Sequence, residues 1–205
     1  MLANVSNHRA FIWSVLALPS IPMTALLVRG GQGPQGQPIA EMLLHPTGEF
    51  AARFMIIAMI ITPMRMLLPN SNFWNWMAKR RRYFGVAAFA FALAHTILYI
   101  IDIGTLAKLL GEFFELGIWT GWAAFFIFIP LAVTSNDISV RRMGPKGWKT
   151  LQRWVYPAAI LTLLHWIFIH NNLGPALGHF IPLAALEAYR LWKAMTDRKE
   201  LGSRL

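Results

Sequence analysis

The side chains with coordination chemistry are six histidines: His8, His45, His95, His165, His170 and His179. The chain has no cysteine, which excludes a disulfide framework, a thiolate metal site, an iron–sulfur cluster and a cysteine nucleophile. His95 and His165 each interrupt a long apolar run. An ionisable residue in such a run is a functional candidate, because its burial is costly. His95 follows Tyr83, and His165 follows Arg153, by about 12 residues, roughly 18 Å at the helical rise. Two helices running the same way thus bring one imidazole each to one depth. Facing neutral imidazoles suit the two axial positions of a haem iron. The small residues of Ala88-Phe-Ala-Phe-Ala-Leu-Ala-His95 leave room for a flat ring. The competing reading is a histidine hydrogen-bonded to a neighbouring helix. Zinc or copper fits less well, because such sites usually take three or four ligands and no further histidine or carboxylate shares that depth.

The remaining candidates lie towards the ends of the apolar runs. His45, His170 and His179 fall near one face, either as solvated interfacial residues or as parts of a second site, such as a quinone pocket or a docking surface. His8 reads as a solvated N-terminal residue. Arg53 stands four residues after Glu49. It has two readings, an ion pair one helical turn away and a guanidinium on a haem propionate. Arg65 reads as a snorkelling residue. The methionines read as packing or lipid-facing residues.

These residues must be positioned by membrane helices. Of 205 residues, 56% are apolar and 14% charged, against about 25% charged in soluble domains. That excludes a disordered chain and argues against a water-soluble enzyme. Spans of about 20 apolar residues are expected over about 11–28, 50–68, 83–103, 118–133, 154–170 and 175–192. Pro19 and Pro22 interrupt the first, which lacks the cleavage pattern of a signal peptide. The net charge of +10 first suggests nucleic acid. However, Lys79–Arg82, Arg141–Arg153 and Arg190–Arg204 alternate with connections that hold only Arg29 and Lys108. This alternation is the positive-inside pattern of six crossings with both termini in the cytoplasm. Nucleic acid is therefore not an expected partner; membrane lipid is. Tryptophans near both faces form an interfacial belt. The basic connections could also attract an anionic flavin phosphate or acidic lipid heads. The Gly/Pro/Gln-rich segment from Gly30 to Gly48 reads as irregular, Leu109–Leu116 as a short amphipathic helix, and the last residues as a polar tail. The expected fold is all-α: a polytopic membrane bundle of six transmembrane helices forming one domain over 1–205.

An ordered set of motifs resembles the haem-binding membrane subunits of bacterial protein-methionine-sulfoxide reductase systems (the MsrQ/YedZ family), within the ferric-reductase-like transmembrane group. His45-Pro-Thr-Gly48 is similar to the family's His-x-Thr-Gly, and Ile61-Thr-Pro63 to its Ile-Thr-Pro. Arg81-Arg-Tyr-Phe-Gly85, His95 and Tyr99 resemble its Arg-Arg-x-x-Gly…His…Tyr run. Leu131-Ala-Val-Thr-Ser135, Gly147-Trp148, Leu151, Tyr156 and His165 follow in order.

The resemblance implies a b-type cytochrome of the bacterial inner membrane, an electron-transfer subunit rather than the catalytic one. It would feed a periplasmic molybdopterin-containing methionine-sulfoxide reductase, and draw electrons from a cytoplasmic flavin reductase or from quinol. It implies haem b on His95 and His165, with FMN as a further cofactor associated with the family. One position departs from the pattern. Trp148-Lys-Thr-Leu151 is followed by Gln152, where a histidine is usual. In two-haem relatives, histidines about 13 residues apart on each of two helices bind both haems; here Gln152, and Arg81 or Arg82, stand at the inner positions. One haem is therefore expected. The alternatives are a transmembrane ferric or oxygen reductase with a separate flavin donor, and a haem-free transporter or structural protein.

Overall fold

The computed structural model describes residues 8–170 and 173–202, without the side chains of 170 and 199–202. The helices are α1 (Arg9–Ala17), α2 (Ser20–Arg29), α3 (Ile39–Leu67), α4 (Asn72–Ile103), α5 (Leu106–Glu112), α6 (Leu116–Val133), α7 (Asp137–Gln152), α8 (Val155–His170) and α9 (Leu173–Gly202). Among the described residues there is no strand, only one antiparallel bridge between Gln32 and Pro38. The all-α expectation holds.

Among the described residues three helices, α3, α4 and α6, are long and apolar enough to cross a membrane, and α1 with α2 would make a fourth as one broken span. The break bends that pair by 56°. It falls at Leu18-Pro19, where proline removes a backbone donor and clashes with the preceding turn. Helix α8 has 16 residues, shorter than a full crossing.

Several expected boundaries move. The segment expected to be irregular up to Gly48 is helical from Ile39, so α3 runs through Pro46. Two turns of helix there gain intrahelical bonds, and Thr47 Oγ1 donates to the Leu43 carbonyl at 2.7 Å. Such side-chain bonds let a membrane helix absorb a proline. The Lys79–Arg82 run is not a loop either. It lies within α4, which starts at Asn72 behind an Ser71 cap that accepts from Trp74 N. The basic connection before α8 is the amphipathic helix α7, kinked at Gly144, whose φ of 69° only glycine adopts readily before Pro145. The expected polar tail continues as helix to Gly202.

Helix α3 packs along α4 and α9, and α6 packs along α8. Small residues allow the close approach: Ala51 and Ala52 on α3, Ala87 and Ala88 on α4, and Ala158 and Ala159 on α8 are all buried. Phe50, Phe54 and Phe91 form an aromatic cluster in the same core. The outward faces carry exposed Ile97, Ile101, Phe126, Ile160 and Ile181. So much exposed apolar surface suits lipid rather than water.

Candidate haem site

Helices α4 and α8 bring the His95 and His165 rings together edge-on. Their ring centroids are 6.0 Å apart and their planes cross at 82°. With metal–imidazole bonds of about 2 Å and a ring centre about 1 Å behind its nitrogen, an iron bound to both would hold the centres about 6 Å apart.

Each ring is pinned from behind. His95 Nδ1 lies 2.9 Å from the Leu44 carbonyl on α3, and His165 Nδ1 lies 2.7 Å from the Gly117 carbonyl on α6. A carbonyl only accepts, so Nδ1 carries the proton and donates in both rings. With the proton on Nδ1, Nε2 carries the lone pair, which is the tautomer that binds metal.

Each ring also rests on a glycine. A Cβ at Gly48 would stand 3.1 Å from His95 Nδ1, and one at Gly121 would stand 2.7 Å from His165 Nδ1. The two half-sites repeat one arrangement: an acceptor carbonyl, a threonine three residues on and a glycine four residues on. Leu44, Thr47 and Gly48 form it on α3; Gly117, Thr120 and Gly121 form it on α6. Gly121 and Thr120 carry no coordination or acid–base chemistry of their own, and nothing in their residue types marks them as part of a site. The signal available was the Thr-Gly dipeptide that occurs at both places.

Between the histidines lies a cavity of about 300 Å³. Its walls are mainly apolar and aromatic, with Trp122, Phe125, Phe128 and Trp166 among them, and Glu49, Tyr99 and Asp102 at the polar positions. The Tyr99 hydroxyl is buried and has no hydrogen-bond partner among the described residues. An orphaned buried hydroxyl costs about 1–3 kcal/mol, so a group that accepts from it would relieve the cavity. Among the described residues no cluster of three or more His, Asp or Glu could hold a metal ion. A two-imidazole donor set, an apolar slot and a free hydroxyl fit a bis-histidine porphyrin and not a tetrahedral zinc site.

Arg53 is not among the cavity-lining residues. Its Nη2 meets Glu49 Oε1 at 2.5 Å, and its Nε donates to His179 Nε2 at 3.2 Å. Of its two expected partners, the structure brings it to Glu49, which itself lines the cavity. His179 Nδ1 donates to the Pro175 carbonyl, and its ring lies 5.2 Å from that of Trp166. His45 also lines the cavity, edge-on to Trp166 at 6.5 Å and 3.9 Å from Glu49. His45 and His179 thus meet around one tryptophan. The His170 side chain lies outside the described residues, and His8 is exposed at the start of α1.

At the basic end the residues standing at the second-haem positions are engaged elsewhere. Gln152 Nε2 donates to the Leu131 carbonyl at 3.0 Å. Arg81 Nη1 reaches Thr62 Oγ1 at 3.3 Å. Arg82 pairs with Asp137 and lies over the Trp148 ring. The hydrogen bond from Arg82 and its charge hold the Asp137 carboxyl below the usual range.

A family model described as Ferric reductase like transmembrane component matches residues 47–163. That match contains His95 and stops just short of His165. Among curated proteins, the chain is 33% identical to the protein-methionine-sulfoxide reductase heme-binding subunit MsrQ of Rhodospirillum rubrum, over 93% of this chain and 90% of that one. The protein of the same name from Xanthomonas euvesicatoria is 33% identical over 86% of this chain and 80% of its own length. For the one from Agrobacterium fabrum the figures are 33%, 89% and 84%. No solved structure matches. The chain is a multi-pass membrane protein that belongs to the ferric-reductase-like transmembrane family and, within it, to the MsrQ group.

Proposed function

We propose that this chain is a b-type cytochrome subunit that holds one haem b between His95 and His165. In this reading it passes electrons across the bacterial inner membrane to a periplasmic molybdopterin-containing methionine-sulfoxide reductase. The observation that carries the reading is the pair of imidazoles with centres 6.0 Å apart, each with Nδ1 donating to a carbonyl of a neighbouring helix and each lining the same cavity. The names of the relatives, which specify a heme-binding subunit, support it.

The haem would supply a one-electron redox centre. The chain's own residues do the rest. Leu44 and Gly117 fix the tautomer and direction of each ring through their carbonyls. Gly48 and Gly121 let the rings sit close to α3 and α6. Trp122, Phe125 and Phe128 keep water from the slot. Arg53 acts through Glu49, holding that carboxylate at the cavity edge.

The topology proposed is one domain over 1–205 with six crossings and both termini cytoplasmic. The grouping of Arg80–Arg82, Arg141–Arg153 and Arg190–Lys193 at one end supports it. Engagement of Gln152 and Arg81 at that end supports a single haem. The electron donor proposed is a cytoplasmic flavin reductase or quinol, with FMN as the flavin to be assayed.

The test is an absorption spectrum with haem and flavin counted per chain. The wild type should show a reduced Soret and α-band with one haem per chain. His95→Ala and His165→Ala should each lose that spectrum while still inserting in the membrane. Colourless protein from haem-replete cells would refute the reading.

A further inference from the structure

Each proposed ligand histidine shares its acceptor carbonyl with a buried threonine. The Leu44 oxygen lies 2.9 Å from His95 Nδ1 and 3.0 Å from Thr47 Oγ1. The Gly117 oxygen lies 2.7 Å from His165 Nδ1 and 2.9 Å from Thr120 Oγ1. Each hydroxyl shares its single proton with the carbonyl one residue earlier, which is the nearer acceptor, Leu43 at 2.7 Å and Leu116 at 2.8 Å. Thr47 and Thr120 are 3% and 2% exposed, so water does not compete for these bonds.

A threonine that bonds back to its own helix is common and by itself means little. What is particular is that the second carbonyl sharing the hydroxyl proton is the one that holds the imidazole, and that this occurs independently on α3 and on α6. Two donors on one oxygen draw on the same electron density, so each bond weakens the other. The hydroxyl therefore loosens the grip of the carbonyl on the histidine proton. A histidine held less tightly is a poorer electron donor through Nε2, and that favours the reduced metal.

We propose that Thr47 and Thr120 are positioning residues that set the donor strength of His95 and His165, and so hold the reduction potential of the bound haem up. This inference rests on the haem reading above. The hydroxyls do not bind the iron; they act through Leu44 and Gly117, and Thr47 Oγ1 also stands 3.5 Å from His95 Nδ1 itself.

The experiment is an equilibrium redox titration of the solubilised full chain, followed by its haem absorbance. The variants are Thr47→Val, Thr120→Val, their combination, Thr47→Ser and Thr120→Ser. Thr→Ala at the same position replaces any Val variant that fails to fold. At the applied potential where the wild type is half reduced, each Val variant should shift the ratio of oxidised to reduced haem about threefold towards oxidised. The double variant should shift it about tenfold, because the two sites are separate. The Ser variants keep the hydroxyl and should titrate as wild type. A purely structural threonine would change expression or thermal stability and leave the ratio in place. Haem present with an unmoved ratio, a shift towards reduced, or equal shifts in Ser and Val variants would overturn the inference alone. A wild type without haem would instead overturn the reading beneath it.

Discussion

Gly121 lies directly under the His165 imidazole: a Cβ there would stand 2.7 Å from Nδ1 and 2.8 Å from Cε1. His165 cannot yield, because the same Nδ1 is tied to the Gly117 carbonyl on the same turn of α6. Gly121→Ala must therefore either break that bond or push α6 from α8. Overpacking of this kind costs about 1–3 kcal/mol. Haem occupancy should fall about tenfold or more. Gly48→Ala, where the distance is 3.1 Å, should lose less. Haem per chain in purified protein checks both, and a Gly121→Ala protein as fully loaded as wild type would contradict the packing argument.

The imidazole planes of His95 and His165 cross at 82°. Crossed axial rings leave the two metal orbitals that overlap with them nearly equal in energy. The oxidised protein should therefore give the strongly anisotropic low-spin electron paramagnetic resonance signal of perpendicular ligands. The ordinary rhombic signal of parallel imidazoles would mean that the rings turn when iron binds.

Tyr99 supplies an unmatched hydroxyl to the cavity. Removing it leaves the ring and its edge contact to Trp122 at 6.4 Å. In haem-free protein Tyr99→Phe should be neutral or stabilising, since an orphaned hydroxyl costs about 1–3 kcal/mol. In loaded protein the change should run the other way, with haem lost about tenfold faster to an acceptor such as apomyoglobin. Equal rates of loss would show that the hydroxyl does not serve the bound group.

The pair between Arg82 on α4 and Asp137 at the start of α7 sets a pH dependence. Arg82 lowers the folded-state pKa of Asp137 below its unfolded value. The resulting stabilisation is present above the unfolded pKa and is lost as pH falls through the lowered one. The group is fully exposed, so the effect is local: α7 should come away from α4 in acid. Cleavage by an acid-active protease near Gly144 should rise as pH falls, and Asp137→Asn should show the higher rate at neutral pH. A cleavage rate in Asp137→Asn equal to wild type at neutral pH would remove the pair from any docking role.

That His95 and His165 stand at one level of the bundle was readable from the residues, because helical rise converts a count from Tyr83 or Arg153 into a height. The all-α class and the alternation of basic connections were readable for a similar reason, since both depend on composition along the chain. The direction of the two rings was not. Helices apolar on nearly every side have no polar face to set their rotation, so only packing of α4 on α3 and of α8 on α6 could aim the imidazoles at each other. The Glu49–Arg53 pair was readable from its four-residue spacing, whereas packing brought His179 to Arg53, left the Tyr99 hydroxyl without a partner among the described residues, and drew Thr120 and Gly121 into the site. Helical bounds through Pro46 and through Arg80–Arg82 were misjudged because charge and proline mark loops in water. In a packed bundle the backbone must satisfy its own hydrogen bonds, and that requirement prevails.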